Sequence, residues 1–152
     1  AITLRAVLDA LPDTAQVTVA ELNPKIHEWC LGPLSELTGG AARDPRVTIE
    51  IADVAKLIKK SGNNNFDAII LDLYRGPHPQ TDRLNDPIYG SHAIKHTHTA
   101  LKPGGIFAVW GENPDPGFEN RLSSGGFDVR CERPGRGGYR HAVWVAKNHK
   151  KT

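Results

Sequence analysis

Three apolar runs in this chain each end on a carboxylate. Val17–Ala20 leads into Glu21, Val47–Ala52 into Asp53, and Phe66–Leu71 into Asp72. The runs are short and rich in β-branched residues, as strands are. Helix-like segments separate them. Strands alternating with helices argue for an α/β fold with a mostly parallel sheet. In open sheets of that kind ligands sit beyond the carboxyl ends of the strands. Glu21, Asp53 and Asp72 are therefore candidates for a shared crevice.

Element signals fill in the rest. Leu4, Val7, Leu8 and Leu11 recur at helical spacing, and Pro12-Asp13 ends that stripe. Asn23-Pro24 reads as an N-cap followed by a first helical position, opening a helix through Ile26, Trp29 and Cys30. Asp53 can cap a helix over Val54 to Lys60. The run from Phe66 to Leu73 is apolar enough to predict a strand buried on both faces. Tyr74 to Pro87, with several Pro and Gly positions, reads as a long loop of the functional kind. A helix over Ile88 to Leu101, a Lys102–Gly105 turn and a strand over Ile106 to Trp110 follow. A short helix over Phe118 to Ser124 and two strands, Phe127 to Cys131 and His141 to Ala146, close the chain. The last two predict an antiparallel pair.

The chain has 152 residues, enough for one domain. We expect that domain over 1–147 and a solvated, flexible tail over 148–152. Net charge is only +2, which argues against a nucleic-acid or membrane surface. No apolar run is long enough to span a bilayer. Cys30 and Cys131 stand apart without ligand spacing, and this favours a reducing, cytoplasmic setting. The chain opens on Ala1 and has no methionine, so we expect a processed product or a piece of a longer protein.

The blocks V-T-V-A-E-L-N-P (Val17–Pro24), D-P-R-V-T-I-E-I-A-D-V-A (Asp44–Ala55), F-D-A-I-I-L-D (Phe66–Asp72), Gly76-Pro77 and L-K-P-G-G-I-F-A-V-W (Leu101–Trp110) carry a resemblance. Together they resemble the spermidine synthase (polyamine aminopropyltransferase) branch of the class I S-adenosylmethionine-dependent transferases. That resemblance implies a Rossmann-like, doubly wound sheet with an antiparallel C-terminal β-β pair. It implies a cofactor, S-adenosylmethionine or its decarboxylated form, and a small-molecule acceptor. It also implies a homo-oligomer, since relatives are commonly dimers or tetramers.

By the same resemblance Glu21, with Leu22 beside it, holds the ribose hydroxyls. Asp53 accepts from the adenine amino group, with the Val54 backbone nearby. Asp72 lies beside the sulfonium and the incoming nucleophile and is the candidate catalytic residue. Tyr74 and Arg75 are candidate acceptor-binding residues.

Two departures stand out. The family's catalytic loop usually reads D-S-S-D-P, whereas this chain reads Asp72-Leu73-Tyr74-Arg75, with Arg75 where a second acid is expected. A guanidinium cannot act as a base and would repel a polyamine. The family's first strand and glycine-rich loop also have no counterpart before Ile2. Two other readings stay open: a methyltransferase acting on a small acceptor, and a non-catalytic module that keeps the fold. A nicotinamide dehydrogenase shares the acid after the second strand but not the D-P-R-V block. His92 and His96 can share a helix face, yet no third ligand accompanies them, so a polar face is the reading and no metal is expected.

Overall fold

The computed structural model describes residues 2–79, 84–135 and 141–149. The backbone groups into two compact units, Ala1–Leu57 and Ile58–Thr152. Strand pairing stays within each unit among the described residues.

The first unit holds α1 (Ile2–Ala10), β1 (Val17–Glu21), α2 (Pro24–Leu31), two short 3-10 turns, β2 (Val47–Ile51) and the start of α3 (Val54–Lys60). β1 and β2 are parallel and in simple register, from Val17 beside Val47 to Glu21 beside Ile51. The Ala52 N–H extends the ladder by donating to the Glu21 carbonyl at 3.0 Å. Both strands thus finish at one level, and Glu21 and Asp53 stand at the same carboxyl end.

α2 begins as its sequence predicts. Asn23 accepts from the Lys25 N–H at 3.0 Å, and Pro24 takes the first position, where no N–H is needed.

The D-P-R-V block has a structural task here. Arg46 and Asp44 form a two-pronged pair at 3.0 and 2.9 Å. The remaining guanidinium nitrogen donates to the carbonyls of Leu8, Leu11 and Pro12 at 3.1–3.4 Å. A cation is favourable at a helix C-terminus, where carbonyls lack intrahelical partners. Arg46 therefore ties the end of α1 to the start of β2.

The second unit holds β3 (Phe66–Leu71), α4 (Ser91–Ala100), β4 (Leu101–Gly111), α5 (Pro116–Ser124), β5 (Phe127–Glu132) and β6 (Ala142–Asn148). Its sheet has the order β3-β4-β6-β5. β3 and β4 are parallel; β6 runs antiparallel to both β4 and β5. The closing antiparallel pair thus forms as the sequence predicts, with the last strand inserted at the centre.

Phe107, Val109, Trp144, Ala146 and Phe127 are buried on one face of this sheet. Phe118 of α5 meets Trp144 edge-on at 5.1 Å, and His98 of α4 meets Phe127 at 5.0 Å. Both helices therefore cover the same face. Truncating a buried aromatic such as Trp144 to alanine costs about 3–5 kcal/mol.

Several local expectations shift. β3 is not buried on both faces: Ile69 and Leu71 are buried, but Ala68 is exposed and Ile70 is 47% exposed. The reason is that α4 and α5 both lie on the side of Ile69 and Leu71, and β3 is an edge strand of its sheet. α4 starts at Ser91, because Asp86 accepts from the Ile88 and Tyr89 N–H groups and holds the preceding residues in a turn. Lys102–Gly105 lies inside β4 as an irregularity, with the register passing from Phe66–Leu101 to Ala68–Ile106. Gly104 supplies the left-handed backbone this needs, at φ 82°.

Asn148, expected in the tail, ends β6 and is buried. Its amide donates to the carbonyls of His98, Leu101 and Lys102 at 3.1, 3.1 and 3.3 Å. Residues 150–152 of that tail, 80–83 of the long loop and 136–140 of the β5–β6 connection lie outside the described residues.

Candidate active site

β3 and β4 are parallel and aligned, with Leu71 beside Val109. Their carboxyl ends therefore open on the same side. Asp72, Leu73, Tyr74 and Arg75 leave β3 there, and Trp110 and Glu112 stand at the end of β4. These six residues line one cavity of about 580 Å³.

The wall of this cavity is built backbone against backbone. A Cβ on Gly76 would overlap the Gly111 Cα and come within 2.8 Å of the Trp110 carbonyl. A Cβ on Gly111 would in turn come within 2.8 Å of the buried Trp144 ring. Only glycine at both places lets the loop after Asp72 lie directly on β4. Gly76-Pro77, noted in the sequence for its resemblance, is thus a packing requirement of the site.

Two side chains then fix the loop. The buried Tyr89 donates its hydroxyl to the Arg75 carbonyl at 2.8 Å. The Gly76 N–H donates to Glu112 Oε2 at 3.1 Å. Burial, and then the negative charges of Asp86, Glu112 and Asp72, raise the Tyr89 hydroxyl well above its ordinary pKa. It remains a hydrogen-bond donor at any ordinary pH.

Arg75 has no ion pair among the described residues and lines the cavity. Tyr74 is 93% exposed at the rim. Trp110 lines the same cavity, and its ring lies 5.4 Å from that of His141.

In the first unit the expected nucleoside residues gather at the carboxyl end of β1 and β2. Glu21 is half-buried and accepts from the Asn23 N–H through Oε1 at 2.8 Å. Asp53 accepts from the Ala55 N–H through Oδ1 at 2.9 Å, the helix cap its sequence predicts. Each acid keeps a second oxygen without a partner among the described residues. Those oxygens are acceptors of the kind that the donors of a sugar diol and an amino group require. Leu22 is 74% exposed and Val54 half-buried beside them.

Glu112 and Tyr89 were not singled out by sequence reasoning. A signal existed for Glu112: it follows an apolar strand run, by the rule that selects Glu21, Asp53 and Asp72. His92 and His96 are both exposed, and no group of three or more metal-ligating side chains occurs among the described residues. No helix of the described residues is long and apolar enough to cross a membrane.

Residues 3–119 match the family model of the spermine/spermidine synthase domain. The chain belongs to that family. Among curated relatives, a polyamine aminopropyltransferase of Korarchaeum cryptofilum is 30% identical over 97 residues, covering 64% of this chain and 28% of that protein. One from Nitrosomonas europaea is 29% identical over 105 residues, covering 68% of this chain and 30% of that protein. The chain thus spans under a third of the length of these two relatives.

A spermidine synthase of Thermotoga maritima superposes with a TM-score of 0.73 at 24% identity, over 97% of this chain and half of that one. An S-adenosylmethionine-dependent methyltransferase, SibL, superposes with a TM-score of 0.64 at 18% identity, over 98% of this chain and 48% of the other. These likenesses establish the Rossmann-like α/β fold shared by spermidine synthases and methyltransferases. Asp72 heads the loop in which this chain carries Arg75.

Proposed function

We propose that this chain belongs to a transferase that binds a sulfonium nucleoside, S-adenosylmethionine or its decarboxylated form, and alkylates a small acceptor. The observation that carries the reading is the pair of strand-end acids Glu21 and Asp53, each with one oxygen that has no partner among the described residues. In this reading Glu21, flanked by Leu22, receives the ribose hydroxyls. Asp53 receives the adenine amino group next to Val54. Asp72 lies beside the reacting centre and is the catalytic residue; Tyr74 and Arg75 contact the acceptor.

When bound, the nucleoside supplies an electrophilic carbon and a neutral thioether leaving group. Asp72 holds an acceptor ammonium, and its proton leaves to solvent through that carboxylate. With the nucleoside bound, the freed nitrogen lone pair would form the new C–N bond while the C–S electron pair would pass to sulfur. The acceptor is held in line by a fixed loop, and such positioning together with electrostatics can supply much of the rate.

Calorimetry of the intact protein with methylthioadenosine tests this. We expect binding in the wild type and a loss of about tenfold or more in Glu21→Ala, on the scale of charge-assisted hydrogen bonds. No binding by the wild type would discard the reading.

The presence of Arg75 in the cavity favours a second reading, a methyltransferase for a small acceptor. Offering both cofactor forms and observing which is consumed separates the two. Consumption of neither, with nucleoside binding intact, would support a non-catalytic module.

A further inference from the structure

The cavity beyond β3 and β4 carries charges of both signs. Asp72 and Glu112 supply two carboxylates, and Arg75 supplies a guanidinium with no ion pair among the described residues. We infer that the acceptor is zwitterionic, an aliphatic amine that also bears an anionic group such as a carboxylate. This rests on the transferase reading above and names its acceptor class.

The carbonyl of Arg75 is held by Tyr89, and the next N–H by Glu112. The Gly76 backbone is pressed onto Gly111. The Arg75 Cα is therefore fixed, and its side chain borders the same space as Asp72. A guanidinium presents paired donors that match a carboxylate and oppose a second ammonium. A diamine entering this cavity has one ammonium to place on the acids and a second facing Arg75. An amino acid has an anionic group in that position instead.

Glu112 completes the amine side. Its Oε2 is committed to the Gly76 N–H, and its other oxygen has no partner among the described residues. Trp110 adds an aromatic surface, which attracts cations and not anions. Asp72, Glu112 and Trp110 thus favour the amine, and Arg75 favours the opposite end.

The test is a binding panel on the intact protein, with and without methylthioadenosine. Linear ω-amino acids from 3-aminopropanoate to 6-aminohexanoate are compared with diamines of equal spacing. We expect at least one amino acid to bind about tenfold more tightly than its matched diamine, the scale of one charge-assisted hydrogen bond. Arg75→Asp should reverse that order. Glu112→Gln, which keeps an acceptor for Gly76, should weaken both series. A wild type that prefers diamines, shows no preference or binds neither series overturns the inference, as does an Arg75→Asp variant with unchanged order. Methylthioadenosine binding is read in the same experiment. Its presence with a diamine preference leaves the transferase reading standing, and its absence removes that reading whatever the panel shows.

Discussion

Tyr89 and Glu112 hold opposite ends of a single peptide unit. The Tyr89 hydroxyl donates to the carbonyl of Arg75 at 2.8 Å, and Glu112 accepts the N–H of Gly76 at 3.1 Å. The peptide between Arg75 and Gly76 cannot rotate without losing both bonds. Tyr89→Phe removes one of them and keeps the ring packed edge-on against Phe118. We expect a stability loss of about 1 kcal/mol by denaturant titration. Gly76→Ala should cost more, about 1–3 kcal/mol, because the two nearest atoms it meets are main chain.

Asp53 serves as a helix cap whether or not a nucleoside is bound. Asp53→Ala should therefore cost about 1 kcal/mol in the free protein. Asp53→Asn keeps a capping oxygen and should stay within about 0.5 kcal/mol of wild type. Both variants should bind methylthioadenosine more weakly, since neither offers a second carboxylate oxygen. Denaturant titration and calorimetry read the two effects separately.

The Asp44–Arg46 pair predicts a dependence on acid. Hydrogen bonds from the Arg46 side chain, and then from its backbone N–H, lower the Asp44 carboxyl from 3.8 to about 2. A folded-state pKa below the unfolded one contributes stability that is complete above about pH 4 and is lost as pH falls toward 2. Asp44→Asn should flatten that part of the stability curve and leave the neutral limb parallel to wild type. Thermal melts between pH 2 and 7 would show it.

Asn148 presents its amide nitrogen to three carbonyls. Only a donor satisfies that arrangement. Asn148→Ala should cost about 1–3 kcal/mol through unpaired buried groups. Asn148→Asp should cost more, because it sets carboxylate oxygens against those same carbonyls. Equal losses in the two variants would contradict the assigned role.

Much of the frame was legible because local chemistry and fold agree. Asn23-Pro24 and Asp53 mark helix starts with their own side chains, and the strand runs end on their acids. What escaped notice depends on partners far along the chain. Gly76 meets Glu112 at a separation of 36 residues, and Asn148 meets His98 at 50. No local pattern announces either bond; a lysine-rich end reads as solvated although Asn148 is buried within it. β3 misled for a related reason. Its composition suits burial on two faces, but which faces are covered depends on where α4 and α5 lie.

The meeting of Gly76 with Gly111 also bears on how such a cavity can change over generations. Where two main chains touch, neither can shift without the other, so the outline of the chamber resists drift. Selectivity must then be rewritten by exchanging what projects from that outline, at Tyr74, Arg75 and Trp110. A new preference can arise from one or two such exchanges while the surrounding scaffold stays as it is.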